Sequence, residues 1–158
     1  MGLEIEHKFL VDHAKWSNLP KPAGKLYRQG YLNDEPGKTV RVRIAGDKGF
    51  ITIKGPTVKT VRKEFEFEIP VSDAKEMLEL FSPQQVEKIR YRILFNQKIW
   101  EVDVFGGENE GLIMAEIELN HAGETFPIPS WISQEVTEDP RYYNSCLASN
   151  PYKTWKKQ

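Results

Sequence analysis

Hydrophobic and polar residues alternate along most of this chain. Eight segments repeat with a period of two and are rich in β-branched and aromatic residues, which is typical of strands with one packed face. Short connections with turn-forming residues separate most of these segments, so the pattern predicts a largely antiparallel sheet. The predicted strands span residues 3–11, 26–32, 39–45, 49–55, 62–70, 86–95, 98–105 and 112–120.

Two other segments predict short helices. Residues 72–81 carry Asp73 and Glu76 at the spacing of a capping box. Residues 140–148 follow Asp139, a suitable N-cap ahead of a proline in the first helical turn. Because helices this short depend on tertiary packing, we expect them to cover part of the sheet.

The polar face of the predicted strands is almost entirely ionisable. A solvated face usually mixes neutral and charged side chains of both signs. Here several segments carry one sign only, although like charges two residues apart on one face repel. The basic positions are Lys8, Arg41, Arg43, Lys54, Lys88, Arg90 and Arg92, and the acidic ones are Glu4, Glu6, Glu64, Glu66, Glu68, Glu101, Asp103, Glu116 and Glu118.

This sorting predicts a closed barrel whose charged faces point inward, with one acidic wall and one basic wall. The nine acids outnumber the seven bases, and a buried surplus of carboxylates is costly unless cations join it. About two divalent ions would make the interior positive, and carboxylate oxygens favour Mg²⁺ or Mn²⁺ over zinc. Arginine and lysine on the other wall suit phosphate oxygens, so we expect a polyanion site.

Two other architectures also produce charged alternation. For any single strand, a sheet with one wet face is the better explanation, but it does not account for the sorting of charge between strands. An outer-membrane barrel is also polar inside and apolar outside. We expect a cytoplasmic protein instead, because charges interrupt the N-terminal residues where a signal peptide needs an apolar run, and helical segments interrupt the strands.

Length and composition fit a single domain over residues 1–158, with 39% hydrophobic and 28% charged residues. The net charge of −1 gives no reason to expect a nucleic-acid partner. The single cysteine, Cys146, excludes an internal disulfide and a multi-cysteine zinc site. No segment approaches the ~18 apolar residues of a membrane helix, so we expect no membrane partner. A second copy of the chain could cover apolar outer faces that the helices leave bare.

Seven short motifs follow one another along the charged faces of the predicted strands. They are Glu4-x-Glu6-x-Lys8, Arg41-Val42-Arg43, Thr52-Ile53-Lys54-Gly55, Arg62-Lys63-Glu64-Phe65-Glu66, Glu87-Lys88-Ile89-Arg90-Tyr91-Arg92, Trp100-Glu101-Val102-Asp103-Val104-Phe105 and Ala115-Glu116-Ile117-Glu118-Leu119. Each motif alone is unspecific, but the ordered set resembles the CYTH superfamily, the triphosphate tunnel metalloenzymes. The tail over residues 135–142 resembles the bacterial members, which include inorganic triphosphatases.

The resemblance implies an antiparallel barrel of about eight strands that forms a tunnel for triphosphate and divalent metal. The implied metal ligands are Glu4, Glu6, Glu116 and Glu118, with Glu66 and Asp103 as further candidates. The implied phosphate ligands are Lys8, Arg41, Arg43, Lys54, Lys88 and Arg90, with Arg141 closing one tunnel end. The residues implied in the catalytic step itself are Glu4, Glu6, Lys8 and Lys54. Supporting ion pairs are expected from Glu64, Glu68, Arg92 and Glu101.

These observations together predict a triphosphate hydrolase that uses Mg²⁺ or Mn²⁺, with two ions and a metal-activated water. Short loops leave little chain for a nucleobase or thiamine pocket, which favours inorganic tripolyphosphate cleaved to pyrophosphate and phosphate. A nucleoside or thiamine triphosphatase, an adenylyl cyclase, and a non-catalytic polyphosphate- or nucleotide-binding module stay open as alternatives. The non-catalytic module would be favoured if the metal carboxylates were lost, but all four are present.

Overall fold

The computed structural model describes residues 2–35 and 37–155. Within these ranges the strands are β1 Gly2–Val11, β2 Lys25–Glu35, β3 Lys38–Ala45, β4 Lys48–Lys54, β5 Val61–Ile69, β6 Gln85–Phe95, β7 Lys98–Phe105, β8 Ile113–Glu118 and β9 Ile132–Glu135. The α-helices are α1 His13–Ser17, α2 Val71–Phe81 and α3 Asn144–Ser149. Single 3₁₀ turns lie at Gly107–Asn109, Pro140–Tyr142 and Tyr152–Thr154.

Eight strands close into an antiparallel barrel. The neighbour order is β5-β4-β3-β2-β6-β7-β8-β1, and β1 pairs with β5 to close the ring. One edge of β1 pairs with two strands. Residues 2–5 pair with β5, and Phe9 and Val11 pair with β9. All eight predicted strands form, each within three residues of its predicted ends. The prediction of a mainly β, closed antiparallel barrel is confirmed.

Two-residue turns hold neighbouring strands in register. Asn96 and Gln97 join β6 to β7 with φ angles of 48° and 67°. Left-handed backbone at both central positions matches the twist of a hairpin, and asparagine tolerates it well. Gly46, with φ of 62°, begins the turn between β3 and β4. These tight turns make consecutive strands direct neighbours, which fixes which charged faces meet.

The helices differ from their predicted form. α2 begins one residue early, at Val71, and its N-cap Pro70 has no side-chain hydrogen bond, so the predicted capping box of Asp73 and Glu76 does not form. Asp73 instead lies within the first turn, where its charge favours the helix dipole. The segment predicted as one helix over 140–148 is a 3₁₀ turn followed by α3, because Tyr143 is extended between them (φ −68°, ψ 135°).

The outer face of the barrel is apolar and partly covered by the helices. α2 places Ala74 and Leu78 against Val42 on the outer side of β3. On the opposite side, Trp100 packs edge-to-face against Trp131, with ring centroids 5.9 Å apart. This second cluster is covered by α1 and by the chain between β8 and β9, neither of which was predicted. None of the helices within residues 2–35 and 37–155 is long and apolar enough to cross a membrane.

One end of the barrel interior is filled with apolar side chains. Val86, Phe105 and Met114 each lie two residues from a charged lumen position on their strand and share its inward face. Leu147 of α3 packs against them and is fully buried. The charged lumen that the sequence predicts is therefore limited to part of the barrel length, because α3 closes the other part.

Candidate active site

A cavity of about 300 Å³ occupies the barrel interior, and each of the eight barrel strands contributes a side chain to it. The structure brings eleven of the thirteen predicted site residues to this cavity. They are Glu4, Glu6, Lys8, Arg41, Arg43, Lys54, Glu66, Lys88, Arg90, Glu116 and Glu118.

The order of the strands around the barrel sorts the charges into two walls. β6, β2, β3 and β4 are consecutive neighbours, and they contribute cations and hydroxyl groups but no carboxylate to the described cavity lining. β7, β8, β1 and β5 are also consecutive and contribute its carboxylates. Lys8 and Arg62 are the cations on the acidic side of this lining. The prediction of opposed acidic and basic walls is confirmed.

Two lysines bridge the carboxylates of the acidic wall. Lys8 lies opposite Glu116 in the β1–β8 register, and its Nζ donates to Glu6 Oε1 at 2.8 Å and to Glu116 Oε1 at 2.9 Å. Lys54 reaches across from β4, and its Nζ donates to Glu4 Oε2 at 2.8 Å. All of these side chains are largely buried, so each ammonium group balances negative charge that water cannot solvate.

Asp103 is bound from two sides by cations of β6. Arg90 donates to its two oxygens at 2.7 and 2.8 Å, and Lys88 Nζ lies 2.8 Å from Oδ2. Burial alone would raise the pKa of Asp103, but Arg90 and Lys88 together hold it at about 2. Asp103 does not line the cavity and is committed to these cations, so the geometry gives it the position of a buried counterion behind the basic wall.

Other carboxylates of the acidic wall repel one another. Burial, followed by the charges of Glu4 and Glu6, raises the pKa of Glu118 to about 7. Burial and Glu116 raise the pKa of Glu6 despite the nearby Lys8. The wall therefore holds more negative charge than its lysines neutralise, and a bound cation would relieve this repulsion.

The donor chemistry of the acidic wall fits a hard divalent cation, because it consists of carboxylate oxygens. In residues 2–35 and 37–155, however, no three histidine, cysteine, aspartate or glutamate side chains lie together as a ready-made metal site. The lysine contacts explain this arrangement: Glu6 and Glu116 both turn toward Lys8, and Glu4 turns toward Lys54. Metal binding would require these carboxylates to exchange an ammonium partner for the ion.

Arg41, at the centre of the basic wall, carries an unused donor. Its Nη2 donates to Thr52 Oγ1 at 3.1 Å and to Glu66 Oε1 at 3.3 Å. Its Nε is buried and has no hydrogen-bond partner among residues 2–35 and 37–155. Since a buried N–H without an acceptor is costly, a phosphate oxygen that reached this atom would stabilise the wall.

Arg43 and Arg90 both stack on the ring of Tyr27, each with its guanidinium carbon 4.9 Å from the ring centroid. Burial, followed by the charges of Arg41 and Arg90, lowers the pKa of Arg43 to about 10. Tyr27 thus contacts two cations that both line the cavity. Crowded guanidinium groups of this kind are stabilised by an anion between them.

The structure does not bring Arg141 to the cavity. Its guanidinium donates to Asp139 at 2.7 Å and stacks over Trp155, and its side chain is 60% exposed. The extended Tyr143 turns the chain between Arg141 and α3, so Tyr143, Asn144 and Ser145 meet the cavity instead. The supporting positions Glu64 and Glu101 also line the cavity. Arg92 is 67% exposed and lies outside the cavity lining.

Several lining residues were missed by the sequence interpretation. Tyr27 and Tyr31 share the inward face of β2, but aromatic residues there interrupt the charged pattern that guided the prediction. Arg62 has the same strand parity as Glu64, so the alternation itself could have revealed it. It donates to Gly55 O at 2.9 Å and fixes the loop after β4. Lys59, in that loop, has φ of 60° and gave no signal in sequence.

Comparison with known proteins agrees with this geometry. The CYTH domain model matches residues 2–145. The chain is 51% identical over 157 residues to an inorganic triphosphatase of Acetivibrio thermocellus, covering 99% of both chains. It is 35% identical over 153 residues to an inorganic triphosphatase of Nitrosomonas europaea, covering 92% of this chain and 96% of the other. A crystal structure of an inorganic triphosphatase superposes with a TM-score of 0.64 at 33% identity, covering 92% of this chain and 97% of that one. The chain therefore belongs to the CYTH domain family.

Proposed function

We propose that this protein hydrolyses inorganic tripolyphosphate to pyrophosphate and phosphate. Two relatives that each match more than nine-tenths of the chain are named inorganic triphosphatases. The observation that carries the proposal is the pair of opposed walls, since a tunnel with cations on one side and carboxylates on the other suits a metal-bound polyanion.

The basic wall supports binding of a linear phosphate chain. Arg41 has a buried Nε without an acceptor in the part of the chain that the structure describes, and Arg43 and Arg90, which share the ring of Tyr27, line the same cavity. Guanidinium groups bind phosphate oxygens in pairs, whereas lysine acts as a point charge. The proposed phosphate ligands are Lys8, Arg41, Arg43, Lys54, Lys88 and Arg90.

The two tyrosines of β2 in the cavity lining favour an inorganic substrate over a nucleotide. A nucleobase is usually recognised by stacking on an aromatic face together with hydrogen bonds to its edge. The ring of Tyr27 is already engaged by Arg43 and Arg90, which leaves its face unsuited to a base. The hydroxyl of Tyr31 accepts a hydrogen bond from Gln29, so this tyrosine presents a polar edge to the cavity.

We also propose that the enzyme depends on Mg²⁺ or Mn²⁺, with two ions bound by the acidic wall. The ligands would come from Glu4, Glu6, Glu116 and Glu118, with Glu66 as a further candidate and Asp103 held back by its cations. Bound divalent ions would neutralise phosphate charge and lower the pKa of a water for in-line attack. Glu6 and Glu118 would be ionised by the ion that they bind.

Lys8 and Lys54 would then change partners. Each Nζ neutralises carboxylates at 2.8 Å in the present arrangement. If Glu4, Glu6 and Glu116 held a divalent cation, the ammonium groups of Lys8 and Lys54 would be available to phosphate oxygens in the cavity. These two lysines would hold and orient the substrate and stabilise charge that develops on its phosphate oxygens.

A substrate panel tests the proposed reaction. Purified protein is assayed with Mg²⁺ and with Mn²⁺ on tripolyphosphate, ATP and thiamine triphosphate, and products are separated by ion-exchange chromatography. Tripolyphosphate is expected to give the highest kcat/KM and to yield pyrophosphate and phosphate. Higher kcat/KM with ATP or thiamine triphosphate would overturn the substrate assignment, and cyclic AMP with pyrophosphate from ATP would identify a cyclase.

The substitution Glu6→Ala tests the assignment of Glu6 as a metal ligand. The expected result is a loss of at least about a hundredfold in kcat/KM, together with weaker Mn²⁺ binding in a calorimetric titration. Glu76→Ala is a matched control, because Glu76 is exposed on α2. Undiminished hydrolysis and unchanged Mn²⁺ binding by the Glu6→Ala protein would contradict the assignment.

A further inference from the structure

Two neutral carboxamides lie within the charged cavity region. Gln29 is on the inward face of β2, between Tyr27 and Tyr31, and is fully buried. Asn144 is the first residue of α3 and lines the cavity. Neither belongs to the alternating charges of the two walls, and each contacts a cation of the basic wall.

Gln29 fixes the orientation of Arg43. The two residues are direct partners in the β2–β3 register, and Arg43 Nε donates to Gln29 Oε1 at 2.8 Å. Since a guanidinium group can only donate, the amide oxygen must face it. With Nε engaged at the strand, the two Nη groups, which have no hydrogen-bond acceptor within the described residues, are directed toward the cavity.

Asn144 fixes the orientation of Lys88 in the same way. Lys88 Nζ donates to Asn144 Oδ1 at 2.9 Å and lies 2.8 Å from Asp103 Oδ2. Lys88 is 1% exposed, so these contacts determine where its ammonium group points. An ammonium group has three N–H donors, and Asn144 uses one of them while Asp103 pairs with the charge, so donor capacity is left for a ligand in the cavity that Lys88 lines.

The two carboxamides are connected to each other. Gln29 Nε2 donates to Asn144 Oδ1 at 3.5 Å and to Tyr31 Oη at 2.8 Å. A continuous chain of hydrogen bonds therefore runs from Arg43 through Gln29 and Asn144 to Lys88. Because Asn144 begins α3, this chain also joins the basic wall to the helix that closes the barrel.

The carboxamide oxygens of Gln29 and Asn144 accept hydrogen bonds from cations but carry no negative charge. A carboxylate in either place would hold the same cation at the same distance but would cancel its charge, as Asp103 does for Arg90. A carboxamide oxygen fixes the cation without adding negative charge. Arg43 then keeps its charge for a ligand, and the one carboxylate beside Lys88, Asp103, is shared with Arg90. The walls thus contain two kinds of acceptor, and the neutral kind lies where positive charge must face the cavity.

We propose that Gln29 and Asn144 are positioning residues that hold Arg43 and Lys88 in the pose for binding phosphate while preserving their positive charge. This inference rests on the proposed function, which makes Arg43 and Lys88 phosphate ligands. It adds two residues that act through these ligands without themselves carrying charge.

The isosteric changes Gln29→Glu and Asn144→Asp test the proposal, because they keep the shape of the side chain and alter its charge. Affinity for tripolyphosphate is measured by calorimetry with EDTA present, and KM and kcat are measured with Mg²⁺. Each variant is expected to bind tripolyphosphate about tenfold or more weakly, with KM rising more than kcat falls. Gln134→Glu adds the same charge at an exposed position of β9 and is expected to bind like wild type.

A double-variant cycle separates positioning from a general structural role. If Gln29 acts through Arg43, the Gln29→Glu change is expected to weaken binding strongly in the wild-type background and less than about twofold in an Arg43→Met background. Thermal melting of each variant verifies that the protein is folded in the assay. Equal effects of Gln29→Glu in the two backgrounds would overturn the positioning role.

The remaining outcomes distinguish this inference from the function on which it rests. If Arg43→Met weakens tripolyphosphate binding while Gln29→Glu and Asn144→Asp bind like wild type, the positioning inference is wrong and the proposed function stands. If Arg43→Met and Lys88→Met both bind tripolyphosphate like wild type, the phosphate-ligand assignment fails and the inference fails with it.

Discussion

Lys8 and Glu116 lie opposite each other on β1 and β8, and their side chains meet at 2.9 Å inside the barrel. The same ammonium group also contacts Glu6 at 2.8 Å. One lysine therefore keeps two buried carboxylates together on the wall that we propose binds metal. This relationship makes the stability of the metal-free protein depend on a residue that is also a proposed substrate ligand.

Replacing this lysine is expected to destabilise the metal-free protein. Lys8→Met removes the shared cation and leaves Glu6 and Glu116 facing each other, which corresponds to a loss of about 3 kcal/mol in the free energy of unfolding. The measurement is urea denaturation in EDTA. Lys63→Met, at an exposed position on β5, is the control and is expected to change stability by less than about 0.5 kcal/mol. Equal stability of the two variants would mean that the contacts of Lys8 with Glu6 and Glu116 do not contribute to the free energy of unfolding.

The pH dependence of stability reports on Glu118. Burial and the neighbouring glutamates, Glu4 first, raise its pKa from the ordinary 4.5 to about 7. Because the folded state then binds this proton more tightly than the unfolded state does, ionisation of Glu118 lowers stability as pH rises from 4.5 to about 7. Glu118→Gln is expected to flatten this part of the profile and to raise the melting temperature in EDTA at about pH 8.

Added Mg²⁺ is expected to reverse the effect of this substitution. If the ion binds Glu118, it stabilises the wild-type protein more at about pH 8 than at about pH 5, because protons compete for the carboxylate at low pH. The Glu118→Gln protein should gain less from Mg²⁺ at either pH. Melting curves of both proteins with and without Mg²⁺ make the comparison, and a Glu118→Gln profile that follows wild type throughout would contradict it.

The apolar end of the barrel interior depends on α3. Leu147 is fully buried among Val86, Phe105, Leu112 and Met114. Leu147→Ala is expected to lower the free energy of unfolding by about 2–5 kcal/mol, because it leaves a cavity in a packed cluster. Leu94→Ala serves as the control, since Leu94 is 68% exposed. Urea denaturation measures the stability of both variants. A similar small loss of unfolding free energy in the two would show that Leu147 is not tightly packed in the barrel end.

Removal of the Arg141 side chain tests the corrected placement of this residue. Arg141 contacts Asp139 and Trp155 and does not line the cavity, so its side chain does not meet a ligand there. Its exposed ion pair also contributes little to stability. Arg141→Ala is therefore expected to keep kcat and KM for tripolyphosphate within about twofold of wild type. A tenfold or larger rise in KM would show that Arg141 reaches the substrate, as the family resemblance implied.

The barrel and most of the site could be predicted because alternation is a local property of the sequence. A period of two assigns each residue to a face, and this is enough to group Arg41 with Arg43 and Glu116 with Glu118. The walls then follow from the order of neighbouring strands, which short hairpins largely determine. Alternation gives no distances between side chains on different strands. It therefore could not show that Asp103 is held by two cations while Glu118 lies among other carboxylates.

Other features depend on tertiary contacts that leave little mark in the sequence. β9 is four residues long and forms because the free part of the β1 edge lies beside it. α1 has five residues and is held by burial of Trp16 rather than by helical periodicity. Gln29 is neutral and lies between two aromatic residues on the inward face of its strand. The pattern of charged residues therefore does not indicate it, although it contacts Arg43.

Hydrolysis of inorganic tripolyphosphate can be followed by ³¹P NMR in a single reaction mixture. Purified protein is incubated with equal amounts of tripolyphosphate and ATP in the presence of Mg²⁺. The tripolyphosphate resonances are expected to convert to pyrophosphate and phosphate while the ATP resonances persist, and EDTA is expected to stop the conversion. Consumption of ATP before tripolyphosphate, or tripolyphosphate that stays intact in active protein, would contradict it.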